Sequence, residues 1–321
     1  MPKVNAEITD LDHGIAAIDT DYVRPALDAS HLIVESGRAA FVDTGTSNSV
    51  PLLLDALAQK NIDVADVDFV FLTHVHLDHA GGAGELLTHL PNAKAIVHPR
   101  GASHLCEPQK LIDGTIAVYG QERFDKVYGG VTPIPEKRLL VVDDRQEFEL
   151  AGRSFQCFFT EGHARHHYCL WDPASKGVFT GDSFGVSYRE LDTQKGAFIF
   201  PTSTPIDFDP VEAHKSVDRI MGYEPEQVYL THYSRVTDLP RLADDMHHGI
   251  EFYAWLASGH ANDRHRTEAI KHGMYDYFLL RLQTHGFEGG PEAVHDILDF
   301  DINLNTMGLE VWLDRHASNA A

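Results

Sequence analysis

The run Thr73-His74-Val75-His76-Leu77-Asp78-His79 gathers three imidazoles and a carboxylate within a few positions. It follows Val67 to Leu72, an apolar stretch that reads as a buried strand. Side chains two apart leave an extended backbone on the same side, so His74 and His76 can grip one cation together. Asp78 and His79 follow in a turn and can serve a second cation beside the first. Imidazole with carboxylate suits Zn²⁺, Fe or Mn²⁺. A lone histidine is better read as a surface or core residue, but four such groups buried without a metal would cost several kcal/mol each. Gly81 and Gly82 are expected to let the chain turn sharply there and open a helix over 80–90.

The surrounding elements must bring this run to a common place. Leu32 to Glu35 and Ala39 to Val42 read as a hairpin turned at Ser36-Gly37. Asp43-Thr44-Gly45 ends its second strand, and Ser47 or Asn48 is the expected cap of a helix carrying Leu52, Leu53, Leu54 and Leu57. A strand at 95–97 is followed by a mixed, partly helical stretch over 99–130. Further strands are expected at 138–142, 146–150, 153–159, 167–171, 177–180 and 227–230, with a helix at 210–221. Residues 183–209 read as an irregular loop, and such loops are often functional. From 241 onward helical periodicity takes over, as in Ile250, Tyr253, Ala254 and Leu256. This order suits two sheets packed face to face with helices outside.

The run Thr73 to His79 resembles the signature of the metallo-β-lactamase superfamily. Other motifs of that family appear in order. Phe41-Val42-Asp43-Thr44-Gly45 is similar to the first, whose Asp is usually structural. Glu161-Gly162-His163 resembles the third, where Pro-Gly-His is commoner. Phe179-Thr180-Gly181-Asp182 resembles the fourth and Leu230-Thr231-His232 the fifth. The resemblance covers residues 14–236. It implies a four-layer αββα sandwich over residues 1–240, with 241–321 as a helical C-terminal extension packed on it. It also implies two divalent cations, zinc first, with Fe or Mn as alternatives. His74, His76 and His163 would hold the first, Asp78, His79 and His232 the second, and Asp182 would bridge them. His167 would orient a ligand from behind.

Departures within the family narrow the branch. An Asp at 182, where one β-lactamase class has Cys, resembles the glyoxalase II and lactonase branches. The His at 76, where flavodiiron proteins usually have Glu, separates the chain from that branch. Residues 73–105, Tyr119 to Pro135 and Pro201 to Pro210 resemble a subgroup of predicted hydrolases without an assigned substrate. The function implied is hydrolysis of an ester, lactone or thioester. Two metals share a water whose pKa falls toward roughly 7, and the resulting hydroxide attacks the carbonyl. Asp78 and His79 are the catalytic candidates. Arg100, Tyr188, Arg189, Tyr233 and Arg235 are candidates for the pocket wall. Two alternatives carry similar motifs: a mononuclear iron persulfide dioxygenase and a non-catalytic di-iron oxygen-binding protein.

Bulk properties agree with an enzyme acting on a small molecule. The net charge of −22 repels phosphate backbones and argues against nucleic acid as a partner. Cys106, Cys157 and Cys169 include no CxxC pair and suit reduced thiols in the cytoplasm. Met1 to Glu7 shows no apolar leader, and no run is long enough for a membrane helix, so no membrane partner is expected. The C-terminal helices are expected to pack on the sandwich, cover the mouth of the site, or offer a homodimer interface with Phe252, Tyr253 and Trp255 as anchors.

Overall fold

The computed structural model describes residues 5–203 and 207–320. Residues 1–4 of the N-terminal stretch, 204–206 of the irregular loop and residue 321 lie outside the described residues. The chain divides into two compact units. One runs to Phe159 and adds His166–Gly181 and Glu224–Thr237; the other takes Thr160–Arg165, Asp182–Tyr223 and Asp238 onward.

The first unit holds two mixed sheets. Seven strands lie in chain order: β1 (Ile8–Asp10), β2 (Ile15–Asp19), β3 (Ala29–Glu35), β4 (Arg38–Val42), β5 (Val67–Phe71), β6 (Lys94–Val97) and β7 (Leu139–Val141). They are antiparallel up to β4 and parallel beyond it. The other sheet runs in order from β8 (Glu147–Leu150) through β9 (Arg153–Phe159), β10 (Tyr168–Asp172), β11 (Gly177–Gly181) and β12 (Gln227–Leu230) to β13 (Ser234–Val236). The short β1 and β13 carry too little apolar alternation to stand out in the sequence.

Two-residue periodicity explains how the first sheet can be apolar throughout. Leu32, Phe41, Val70 and Val97 face one core with α1 (Val50–Gln59) and α3 (Ala83–His89), which follows the single turn α2 (Leu77–Ala80). Their neighbours Ile33, Ala40, Phe71 and Ile96 face the second core, where they meet Phe155, Cys157, Leu170 and Phe179 of the other sheet. The β3–β4 hairpin turns as expected, with Ser36 and Gly37 both at positive φ (48° and 83°).

Two local readings change. Ser47–Ser49 forms a 3-10 turn instead of the expected cap at Ser47 or Asn48, and α1 starts at Val50. The helix expected over 80–90 is split into α2 and α3, and Gly81 and Gly82 keep ordinary helical backbone. The need for glycine at 82 is close packing, because a Cβ there would lie 2.6 Å from the Thr46 carbonyl oxygen. The mixed stretch after β6 resolves into α4 (Pro99–Cys106), α5 (Gln109–Tyr119) and α6 (Gln121–Tyr128).

The second unit is helical: α7 (Pro210–Met221), α8 (Leu239–Gly259), α9 (Arg266–His285) and α10 (Pro291–Ala320). Its interior gathers Tyr253, Met274, Phe278, Leu298 and Ile302. Together the elements make the expected α/β sandwich with a helical C-terminal extension. Among the described residues, no helix is long and apolar enough to cross a membrane.

Candidate metal centre

The ends of β4, β5 and β12 meet at one buried carboxylate. Asp43 accepts from the Thr73 backbone N–H at 2.9 Å and from the Thr73 hydroxyl at 2.8 Å. It also accepts from the Thr231 hydroxyl at 2.8 Å and lies 2.8 Å from Nδ1 of His79. A buried carboxylate needs such donors to offset its desolvation. Here they also lock three strand ends together, with the histidine-bearing segments directly after two of them.

Beyond this hub the imidazoles crowd together. His74 Nε2 and His76 Nδ1 lie 2.8 Å apart, as the side-by-side geometry of alternate residues demands. The rings of His74 and His79 have centroids 4.0 Å apart, and His167 stacks against His74 at 4.9 Å. Asp78 Oδ2 lies 3.9 Å from His79 Nε2 and 3.7 Å from His232 Nε2. Ligand atoms of Asp78, His79 and His232 fall within 4.8 Å of one another.

The donor set fits a cation. His232 Nδ1 sits 2.8 Å from the Leu27 carbonyl oxygen, which can only accept, so Nδ1 carries the proton. That leaves the Nε2 lone pair facing the Asp78 carboxylate. His79 repeats the arrangement, with Asp43 holding its Nδ1. Lone pairs aimed at a carboxylate are reconciled by a positive ion between them, and partners at the far ring nitrogen are how metal-binding histidines are oriented.

The second unit carries His163 and Asp182, with His163 Nε2 3.3 Å from Asp182 Oδ2. Gly162 precedes His163 at φ 115°, and a Cβ there would meet Ala213 N at 2.3 Å, so the position admits only glycine. The Ser216 hydroxyl on α7 donates to the Glu161 carbonyl at 2.5 Å, holding the segment just before His163.

A family model described as the metallo-β-lactamase superfamily matches residues 28–232. The chain belongs to this superfamily. It is similar to a metallo-β-lactamase fold-containing protein of Sulfurisphaera tokodaii, 27% identical over 239 residues, or 73% of this chain and 81% of that one. A crystal structure described as an archaeal metallo-β-lactamase superfamily protein from Sulfolobus tokodaii matches with a TM-score of 0.63 at 23% identity. That match covers 93% of this chain and 99% of the other. An atrochrysone carboxyl ACP thioesterase of Aspergillus chevalieri is 28% identical over 156 residues, which is 47% of this chain and 38% of that protein.

Within this superfamily member the other sequence candidates divide. Tyr188 is buried and donates to Asp301 at 3.0 Å, a packing role. Arg189 pairs with Asp192 at 3.2 Å and Arg235 with Asp12 at 2.8 Å. Arg100 is exposed and Tyr233 half-buried. His98 is buried and caps α4 by accepting from Arg100 N at 3.1 Å; burial lowers its pKa to about 4. Of the three aromatic anchors, Tyr253 is fully buried while Trp255 is 69% exposed. Cys106, Cys157 and Cys169 are free thiols.

Sequence reasoning missed several groups around the centre. Burial raises the Asp28 pKa to about 7, although the His232 and His79 imidazoles pull it down. Its Oδ2 accepts from the Thr20 hydroxyl at 2.6 Å. Tyr22 and Tyr128 are buried with their hydroxyls 2.9 Å apart. Neither an isolated Asp before a strand nor scattered tyrosines give a sequence signal, because only the fold makes them neighbours.

Proposed function

We propose that the chain is a metal-dependent hydrolase of ester, lactone or thioester bonds. Its ligands for two divalent cations, zinc first, would be His74, His76, Asp78, His79, His163, Asp182 and His232. The observation that most supports this reading is the convergence of Asp78, His79 and His232, with the far nitrogen of each imidazole held by Asp43 or Leu27. The remaining assignments, with His163 joining His74 and His76 and Asp182 between the cations, rest on the superfamily's pattern. In this reading residues 1–240 carry the chemistry in the cytoplasm, and 241–321 are an extension.

When bound, the cations would supply a Lewis acid and a water of lowered pKa. The chain's own residues do the rest. Asp43 holds His79 in one tautomer and orientation, and the Leu27 carbonyl does the same for His232. Asp78 is only partly buried, with 23% of its side chain exposed, so it can pass a proton between the site and solvent. The thioesterase name borne by the Aspergillus relative puts thioesters first among the substrates to test.

The test is elemental analysis of the purified protein, followed by a thioester, lactone and ester screen. About two zinc or manganese ions per chain with turnover are expected, and His76→Ala should sharply lower both. Full activity in that variant would sink the assignment. One iron per chain with sulfide-dependent oxygen uptake would replace the hydrolase by the dioxygenase.

A further inference from the structure

A cavity of about 730 Å³ lies wholly within the first unit, and one of its lining residues, Tyr119, is near enough to the Asp78 carboxylate for that charge to raise its pKa. Its size suits a small-molecule ligand. Thr46 and Asn48 line one side; Tyr119, Arg123 and Lys126, at the α5–α6 junction, line the other. The Thr46 side belongs to the loop that leaves Asp43. That loop is tied to the histidine run where Thr44 N donates to the His79 carbonyl at 2.7 Å, and Gly82 N donates back to the Gly45 carbonyl at 2.9 Å. The Thr46 side of the cavity and the segment that carries His79 are therefore joined by backbone hydrogen bonds.

Tyrosines continue the wall inward. The Tyr119 ring lies 6.1 Å from that of Tyr128, whose hydroxyl meets that of Tyr22. Burial, and after it neighbours that include the Asp78 carboxylate, raise the pKa of all three phenols. They stay protonated, and Tyr119, which lines the cavity, can turn its hydroxyl from Tyr128 to donate to a ligand oxygen. Arg123 lies over the Tyr119 ring at 5.4 Å, and Lys126 follows one helical turn later. Phenol, guanidinium and ammonium on one wall are all donors, and together they favour an anionic oxygen ligand. Asp21 and Glu122 also border the cavity and disfavour a second anionic end.

We propose that this cavity is the substrate pocket of the metal centre, and that it takes an acyl ester or thioester carrying one carboxylate, held by Arg123 and Lys126 with Tyr119 donating to a substrate oxygen. The proposal rests on the hydrolase reading, and its test separates the two. The metal-loaded protein is assayed with mono-p-nitrophenyl glutarate and with neutral p-nitrophenyl pentanoate, a probe of similar length. The double variant Arg123→Ala/Lys126→Ala should raise KM for the glutarate ester about tenfold or more, leaving pentanoate within about twofold and kcat little changed. Tyr119→Phe should raise KM for both probes. Equal changes on both esters in the double variant, or no change, would overturn the pocket. If the metal-loaded wild type cleaves neither ester, the hydrolase reading fails for such substrates, and calorimetric titration with monomethyl glutarate, which carries a single carboxylate, decides the pocket alone. Binding that weakens about tenfold in the double variant supports it; binding that is absent, or equal in both proteins, overturns it.

Discussion

Asp43 and Asp172 are both fully buried carboxylates at strand ends, yet they are satisfied in opposite ways. Asp172 meets the chain's own cation. Arg153 Nε donates to it at 3.1 Å with a second guanidinium contact alongside, and Arg153 Nη1 reaches the His13 carbonyl at 2.6 Å. That charge is closed on itself and serves the fold. Asp43 is surrounded by neutral donors from Thr73 and Thr231 and by an imidazole whose other nitrogen faces Asp78. Its charge is passed through His79 toward a place where a cation can sit. A buried acid with its own guanidinium marks structure; a buried acid that orients an imidazole marks a candidate site.

The largest effect should come from breaking the closed pair. Asp172→Ala leaves a buried guanidinium without its counter-ion, which costs about 3–5 kcal/mol of folding stability. Denaturant unfolding of the metal-loaded protein measures it, and metal stoichiometry in the surviving folded fraction should be unchanged. A loss below about 1 kcal/mol would mean that Arg153 finds other partners, such as Glu35 at 3.7 Å, and that the pair is dispensable.

A third buried polar group sharpens the contrast by having neither arrangement. His31 packs edge-on against Phe179 at 5.4 Å, and burial lowers its pKa to about 4, outweighing the upward pull of Asp43. The unfolded chain therefore binds a proton that the folded chain refuses between pH 6.5 and about 4. This stability is intact above pH 6.5 and is lost as pH falls toward 4, by up to about 3 kcal/mol. His31→Phe keeps a ring in place and should flatten that part of the pH dependence. Unfolding free energies at pH 7 and pH 4.5, compared between wild type and variant, give the difference directly. Parallel slopes would mean that His31 is charged in the folded state.

Much of this was open to reading from the residues alone. Strand-end motifs announce themselves because an apolar run stops abruptly at polar residues, as at Leu72-Thr73-His74 and Leu230-Thr231-His232. Continuous apolar runs make β3 to β6 visible, and a helix is expected where α7 lies. What stayed hidden depends on contacts distant in sequence. The Arg153–Asp172 pair joins two strands without any local mark. Thr231 reaches Asp43 across 188 positions. Tyr22 and Tyr128 look like ordinary aromatics until the fold sets their hydroxyls together. The split of the 80–90 helix was missed for a related reason: Gly82 answers to the Thr46 carbonyl, not to its own backbone conformation.

The subtlest test bears on Asp43 itself. Asp43→Asn keeps size and shape, and asparagine tolerates the residue's φ of 56°. The amide oxygen can still accept from Thr73, so the strand ends should hold together. What changes is the partner of His79: an amide NH2 replaces the oxygen that accepted from Nδ1, which favours the tautomer with its proton on Nε2, the nitrogen that faces Asp78. Metal affinity should fall roughly 10–100-fold, as expected for the loss of an orienting partner, with little loss of stability once metal is removed. Competition against a chelator of known affinity reads the first quantity, and unfolding of the metal-free protein reads the second. Stability lost with unchanged metal affinity would make Asp43 a structural acid of the Asp172 kind. Affinity lost with the fold intact would place the difference between the two carboxylates where the geometry puts it, in what lies on the far side of His79.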